Sequence, residues 1–140
     1  MKITVDTNVL ITATFWNGDS NIIIGKAEKK EIELVLSMEI LKEFSKVLAY
    51  KEIQDKIRNK NLEMKRTVEK VAAISTIVEP TQRFAVVKED SDDNKFIECA
   101  KAGNVDFIIS KDNHLLKIKE FEGIKIITSK EFLKIIKCQQ

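Results

Sequence analysis

Short apolar runs alternate with segments of helical spacing along the whole sequence, and this alternation limits the folds open to the chain. Runs at residues 3–5, 33–36 and 106–109 are typical of strands, and each is followed by apolar residues spaced as on a helix. Strands that alternate with helices pair in parallel through crossover connections. The sequence therefore predicts an α/β protein, a three-layer α/β/α sandwich around a central, mostly parallel sheet.

The same patterns give approximate bounds for the other elements. Thr128 and Glu131 have the spacing of a capping box, which predicts the start of a last helix. The further elements predicted are strands at 77–79 and 124–127, and helices at 7–16, 20–30, 38–49, 53–74 with a break near 59–61, 91–102, 113–119 and 131–137.

The length and composition favour one globular domain, predicted to span residues 1–140. Apolar residues make up 44% of the chain, enough to bury a core, which argues against disorder. Neither a long apolar run nor a signal-peptide pattern is visible, and Cys99 and Cys138 do not form a disulfide framework. These features predict a cytoplasmic protein without a membrane partner.

Charge says little about partners. The formal net charge is +2, a weaker basic excess than many nucleic-acid-binding domains carry. The lysines and arginines are spread along the chain, so they fit either a solvated surface or a basic groove for RNA.

Two aspartates follow predicted strands directly. Asp6 comes after the strand at 3–5, and Asp112 follows the strand at 106–109. Ligand sites of parallel sheets lie outside the carboxyl ends of the strands, so these two carboxylates are expected to share one edge. Each alone is also explained as a helix cap or turn residue.

Glu43 lies within or beside the apolar stripe of its helix. It stands three residues after Ile40 and four before Val47, and residues at these spacings share a helix face. A buried carboxylate is costly unless it is paired or bound to a metal. The structural alternative is a glutamate at the edge of the stripe, paired with a lysine such as Lys46, and Glu39 is the reserve candidate.

Asp93 begins another apolar stripe. Asp93, Phe96, Ile97 and Ala100 have the spacing of a core-facing helix surface, so the stripe starts with a carboxylate. Stabilisation by the helix dipole explains acids in a first turn, but it explains less well an acid on the apolar face.

Taken together, Asp6, Glu43, Asp93 and Asp112 suggest a shared carboxylate cluster. Clustered carboxylates repel one another unless a cation compensates their charge. Oxygen ligands alone suit Mg²⁺ or Mn²⁺. With one histidine and two poorly placed cysteines, the chain is a poor candidate for a zinc site.

The segments that carry these acids resemble the four motifs of the PIN domain nucleases. They follow the family's order over nearly the whole chain, and the acids of the motifs are Asp6, Glu43, Asp93 and Asp112. The segments are VDTNVL at 5–10, ILKEFSKVL at 40–48, DSDDNKF at 90–96 and FIISKDNHLL at 107–116.

The resemblance implies a PIN fold and an endoribonuclease that uses Mg²⁺ or Mn²⁺ to cleave single-stranded RNA, leaving 5′-phosphate and 3′-hydroxyl ends. The four acids would be the catalytic and metal-binding residues, with Thr7, Asn8 and Ser110 in support. The branch that it resembles comprises VapC-like toxins of toxin–antitoxin systems. That branch implies a homodimer and a small antitoxin partner that blocks the site.

His114 departs from the family pattern. Many relatives carry a further acid at this position, two residues after the acid of the fourth motif, and its replacement leaves the number of bound metal ions open. The imidazole could contact substrate or act as an acid, or His114 could be an exposed turn residue.

Other functions fit parts of the sequence. A receiver-like signalling domain would need a pair of acids near the end of the first strand, where this chain offers only Asp6. Asn8 excludes a phosphatase of the Asp-x-Asp type. A catalytically silent PIN-like module that acts through protein contacts stays open, as does a housekeeping role in RNA processing instead of a toxin's role.

Overall fold

The computed structural model describes residues 1–138, and a six-stranded sheet forms its centre. The strands are β1 (Lys2–Val5), β2 (Glu33–Ser37), β3 (Ser75–Val78), β4 (Phe107–Ile109), β5 (Glu120–Phe121) and β6 (Ile124–Ile127). Their order is β3-β2-β1-β4-β6-β5, and every neighbouring pair is parallel except β5 and β6. The predicted mostly parallel sheet is confirmed. Of the predicted domain 1–140, residues 139–140 lie outside the described residues.

Helices connect the strands. None of them, within residues 1–138, combines the length and apolar character needed to cross a bilayer. They are α1 (Thr7–Phe15), α2 (Asp19–Glu28), α3 (Met38–Leu48), α4 (Lys51–Asn59), α5 (Met64–Ala73), α6 (Asn94–Gly103), α7 (Asn113–Leu116) and α8 (Ser129–Cys138), with a 3₁₀ turn at Ser91–Asp93.

Helices pack on both faces of the sheet. On one face, the hydroxyl oxygen of Thr4 in β1 lies 3.6 Å from the Cys99 sulfur of α6. Side chains alternate along a strand, so the neighbours of Thr4 point to the opposite face. There Phe107, which pairs with Ile3, contacts Phe132 of α8 edge to face, with ring centroids 5.6 Å apart. The predicted three-layer sandwich is confirmed.

Polar residues gather where the parallel strands end. Asp6 follows β1 and caps α1, Ser37 ends β2 and caps α3, and Asp112 follows β4 and caps α7. Each side chain accepts a hydrogen bond from a backbone N–H in the first turn of its helix. The carboxyl edge of the sheet is therefore lined with oxygen atoms.

Several helix bounds confirm the sequence patterns. α4 ends at Asn59 and α5 begins at Met64, with Asn61 in the left-handed region at φ 55°, so the break expected near 59–61 is present. Thr128 and Glu131 form the reciprocal capping box. The Glu131 N–H donates to the Thr128 hydroxyl at 3.2 Å, and the Thr128 N–H donates to the Glu131 carboxylate at 3.2 Å.

Other bounds were predicted wrongly. The helix expected at 91–102 begins with the 3₁₀ turn, and the strand expected at 77–79 begins at Ser75, where its pairing with β2 starts. Strand β5 was missed because it has only two residues. It pairs with β6 through a turn in which Glu122 and Gly123 have φ of 48° and 86°, as type I′ turns require.

Gly103 lets α6 pack closely against the sheet. A Cβ atom at Gly103 would lie 2.5 Å from the Cγ1 atom of Val35, which is fully buried in β2. We therefore expect Gly103→Ala to lower the free energy of unfolding by about 1–3 kcal/mol in urea titrations. Gly25→Ala in α2 is the matched control, since open space surrounds Gly25 and alanine favours helix by up to about 1 kcal/mol. Equal effects of the two substitutions would contradict this packing.

Candidate active site

Asp6 is buried and held by three hydrogen bonds. One carboxylate oxygen accepts from the Val9 N–H at 2.8 Å. The other accepts from the Ser110 hydroxyl at 2.5 Å and from the Lys111 N–H at 3.0 Å. Burial raises the pKa of Asp6, while these hydrogen bonds oppose the shift and the nearby charge of Asp112 adds to it. The contacts fix the orientation of the carboxylate.

Ser110 joins two of the acids predicted from sequence. Its hydroxyl donates to Asp6 and accepts a hydrogen bond from the Asp112 N–H at 2.9 Å. The side chain is completely buried between the ends of β1 and β4. Ser110 therefore supports the site as a bridge between its acids.

Asp112 is partly exposed beside the buried acids. One of its oxygens accepts from the His114 N–H at 2.8 Å and lies 3.8 Å from the Nδ1 atom of the His114 ring. This contact belongs to the N-terminal cap of α7, as the structural alternative expected. A capping role leaves the second oxygen of Asp112 free to face its neighbours.

Asp93 is a second buried acid whose pKa is raised. Its side chain is 9% exposed, and its Oδ2 atom is buried without a hydrogen-bond partner among the described residues. Burial raises the pKa of Asp93 to about 8, with further contributions from proton sharing with Asp112 and from the charges of Asp112, Asp90 and Asp6. Such a carboxyl group needs a proton or a cation nearby.

The structure thus brings Asp6, Asp93 and Asp112 together at the carboxyl edge of the sheet. The charge of Asp112 adds to the raised pKa of both Asp6 and Asp93, and the charge of Asp6 adds to the raised pKa of Asp93. Repulsion among the carboxylates and the orphaned oxygen of Asp93 both favour a bound positive charge. Three oxygen donors fit the preferences of Mg²⁺ or Mn²⁺, so the residues present fit the expected cation.

Glu43 is next to this group but already has partners. One of its oxygens accepts from the Thr7 hydroxyl, and the other is bound by the Lys95 ammonium group. Lys95 is largely buried, with 12% of its side chain exposed. The lysine that pairs with Glu43 is therefore Lys95, and Lys46, which we considered from sequence, is not among its partners. The charge of Glu43 is compensated within the chain.

The supporting residues differ in their surroundings. Thr7 and Ser110 are buried, and each binds one of the predicted acids. Asn8 is exposed on the first turn of α1, and its side chain makes no hydrogen bond with the described residues. No contact among the described residues explains how Asn8 would support the site, so its role stays a prediction.

A polar network holds the segment that leads to Asp93. The buried Asn94 side chain accepts from the N–H groups of Val86 and Val87 at 3.0 and 2.8 Å. One turn later, the buried Glu98 accepts from the Phe84 N–H at 2.9 Å and from the Arg83 guanidinium at 2.8 Å. These bonds fix residues 83–87 against α6 and so restrict the position of the acidic turn.

Sequence reasoning missed Lys95, Asn94 and Glu98. Lys95 and Glu98 fall outside the apolar positions of their helix, so a surface location was the default expectation. Asn94 stands directly after Asp93, at the start of α6, where asparagine is ordinarily a cap. The available signal was a run of polar residues around a buried stripe, which does not identify partners distant in the sequence.

The burial of Asp93 predicts a pH effect on the metal-free protein. The pKa of Asp93 is about 8 in the folded state, whereas its ordinary value is 3.8, so this group's contribution to stability falls as pH rises between those values. In chelator above pH 8, we expect Asp93→Asn to raise the free energy of unfolding by on the order of 1–3 kcal/mol, because an amide can donate to Asp112. Denaturant titrations of both proteins across this pH interval measure the difference. A steeper loss of stability in the variant would contradict it.

Comparisons with known proteins agree with this arrangement. A crystal structure of VapBC2 from Rickettsia felis, bound to a DNA fragment from their promoter, is similar with a TM-score of 0.61. The match covers 90% of this chain and 97% of that chain at 13% identity, which indicates a common fold. Among curated proteins, none matches the sequence. The PIN domain family model matches residues 2–114, a span that includes all four predicted acids. The chain belongs to the PIN domain family.

Proposed function

We propose that this protein is an endoribonuclease that cleaves single-stranded RNA with the help of Mg²⁺ or Mn²⁺. PIN domains are generally nucleases. The observation that carries the proposal is the buried Asp93 oxygen without a donor, beside the carboxylates of Asp6 and Asp112. A group of carboxylates that repel one another, with no lysine or arginine paired to them among residues 1–138, suits a divalent cation.

Asp6, Asp93 and Asp112 are the proposed metal ligands. Their positions are set before any ion binds, because Asp6 and Asp112 are helix caps joined by Ser110. Preorganised ligands spend little free energy on rearrangement when the ion arrives. A bound divalent cation would supply an acidified water and would neutralise charge on the scissile phosphate.

Glu43 is proposed to orient the attacking water instead of serving mainly as a metal ligand. Its two oxygens already bind Thr7 and Lys95, which fix the direction of the carboxylate. Thr7 adjoins Asp6 in the sequence, and Lys95 lies two residues after Asp93. Because Glu43 binds both Thr7 and Lys95, it lies beside the proposed metal ligands. A fixed carboxylate can accept a proton from water as the water oxygen attacks the phosphorus and the 3′ oxygen of the scissile bond leaves.

We further propose that the protein is the toxin of a toxin–antitoxin pair that acts in the cytoplasm. The family match and the likeness to VapBC2 support this choice. A small antitoxin that covers the acids, and a homodimer, follow from the same proposal. The competing function is a catalytically silent PIN module that acts through protein contacts. The two functions differ because only the nuclease requires the carboxylates of the site for RNA hydrolysis.

Removal of a proposed ligand should abolish RNA cleavage. We expect Asp6→Asn and Asp93→Asn each to lower the rate on a labelled single-stranded RNA by at least about 1,000-fold, because the cation is then held poorly. Excess chelator should have the same effect on the unmodified protein. Asp92→Asn is the matched control, since Asp92 is an exposed acid of the same turn, and it should cleave normally. Circular dichroism checks the fold. Full activity in both ligand variants, or none in the unmodified protein with Mn²⁺, would refute the nuclease.

The two alternatives for Glu43 differ in their effect on ion binding. We expect Glu43→Gln to lower kcat by about 100-fold, as for loss of a general base, while the Kd for Mn²⁺ changes little. Asp6→Asn should instead weaken Mn²⁺ binding by at least about tenfold. Calorimetry with Mn²⁺ and single-turnover kinetics give both quantities. An equal loss of Mn²⁺ affinity in the two variants would make Glu43 a metal ligand.

A further inference from the structure

Asp90, Asp93 and His114 form a second group of metal-binding side chains beside the proposed active site. One ligand atom from each residue lies within 4.8 Å of the other two. Asp90 precedes the 3₁₀ turn, Asp93 ends it, and His114 lies in the first turn of α7. We refer to these three residues as the Asp–Asp–His cluster.

Local contacts assemble the cluster. The Asp93 N–H donates to the Asp90 carbonyl oxygen at 3.1 Å, which closes the turn that carries both acids. The His114 N–H donates to Asp112 at 2.8 Å, which fixes the start of α7. An ion pair between Lys117 and Glu89 joins the residues just beyond α7 to the residue before Asp90. The two chain segments therefore present their ligand atoms to the same space.

The spacing suits a small divalent ion. An octahedral ion with bonds near 2.1 Å separates its ligand atoms by about 3–4 Å. Asp90 and His114 are exposed and partly exposed, so modest rotations of their side chains can close the remaining gap. Water can supply the other ligands on the exposed side.

The buried Asp93 carboxylate gives independent support for a ligand here. Its Oδ2 atom has no donor among the described residues although the side chain is 91% buried. Native proteins rarely leave a buried carboxylate oxygen without a partner, and ion binding at that oxygen is one recognised explanation. Asp93 contributes a ligand atom to the cluster, so a cation bound there would lie beside this carboxylate and offset the cost of burying it.

We propose that the Asp–Asp–His cluster binds a divalent transition-metal ion and that His114 makes it favour such an ion over Mg²⁺. Imidazole nitrogen is a good ligand for zinc, iron, cobalt and nickel, whereas Mg²⁺ prefers oxygen ligands alone. The inference builds on the proposed function, because Asp93 belongs to both sites. It concerns ion binding, however, and does not require RNA cleavage.

A different arrangement would leave His114 as an imidazolium paired with Asp112. The Nδ1 atom lies 3.8 Å from an Asp112 oxygen, which is compatible with an ion pair. Several acids lie near the ring, among them Asp90, Asp93, Asp112 and Glu89. Both arrangements use this acidic environment, and they differ in whether a ring nitrogen binds metal.

The single histidine of the chain allows a direct test. Full-length protein without a purification tag is labelled with ¹⁵N at histidine and titrated with Zn²⁺, then with Mg²⁺. We expect Zn²⁺ to shift one ring nitrogen as metal binding does, while Mg²⁺ leaves both nitrogens nearly unchanged. Nitrogens that do not respond to Zn²⁺, or that shift only as protonation shifts them, would overturn the proposal.

Variants then identify the ligands by calorimetry. His114→Asp restores an all-oxygen cluster, so Zn²⁺ affinity should fall by at least about tenfold while Mg²⁺ affinity is kept or increased. Asp90→Asn should also weaken Zn²⁺ binding, and Asp92→Asn should not. Both cluster residues are at least partly exposed, so the variants should fold, and thermal unfolding checks this. Unchanged Zn²⁺ affinity in His114→Asp would overturn the proposal.

Asp6→Asn separates this inference from the proposed nuclease. Asp6 lies outside the cluster, so this variant should keep the Zn²⁺-induced shift of the imidazole even though it no longer cleaves RNA. An unmodified protein that shows the shift but cleaves nothing would contradict the nuclease alone. RNA cleavage by a protein whose His114 ring nitrogens do not respond to Zn²⁺ would contradict the transition-metal site alone.

Discussion

The hydrogen bonds of Ser110 hold together the carboxyl edge on which the rest of the site depends. The hydroxyl donates to Asp6 after β1 and accepts from the backbone of Asp112 after β4. Both strands are interior and parallel, so their ends cannot shift without breaking the ladder between them. A short, fully buried side chain thus fixes the Asp6 carboxylate relative to the backbone of Asp112, although the charges of the two acids repel.

The acids at this edge divide into compensated and uncompensated groups. Glu43 has Lys95 and Thr7, and Asp6 has three hydrogen bonds, whereas the Oδ2 atom of Asp93 has no donor among residues 1–138. An uncompensated carboxylate that is buried costs more than one with partners. The demand for a positive charge is therefore concentrated at Asp93, which makes this residue common to the proposed active site and the Asp–Asp–His cluster.

The sequence predicted the parts of this arrangement that depend on local spacing. Strand–helix alternation gave the layers and the parallel sheet, and acids after strands gave Asp6 and Asp112. The turn at β5 was missed because two residues carry no periodic signal. The pairing of Glu43 with Lys95 joins residues 52 positions apart, and nothing in the spacing of either helix distinguishes it from a pairing with Lys46.

The role of Asp93 could not be assigned from the sequence alone, because it depends on how deeply the side chain is buried. In sequence it is one of three aspartates in four residues, and all three could serve the dipole of the following helix. The structure separates them: Asp90 and Asp92 are exposed, and Asp93 is buried with an oxygen that lacks a partner. Asn94 and Glu98 fix the preceding segment against α6 and so restrict the movement of the turn that carries Asp93. A buried carboxylate with an unpartnered oxygen is stabilised by a proton or a cation, and this requirement is the basis of the metal affinity proposed for the acidic turn.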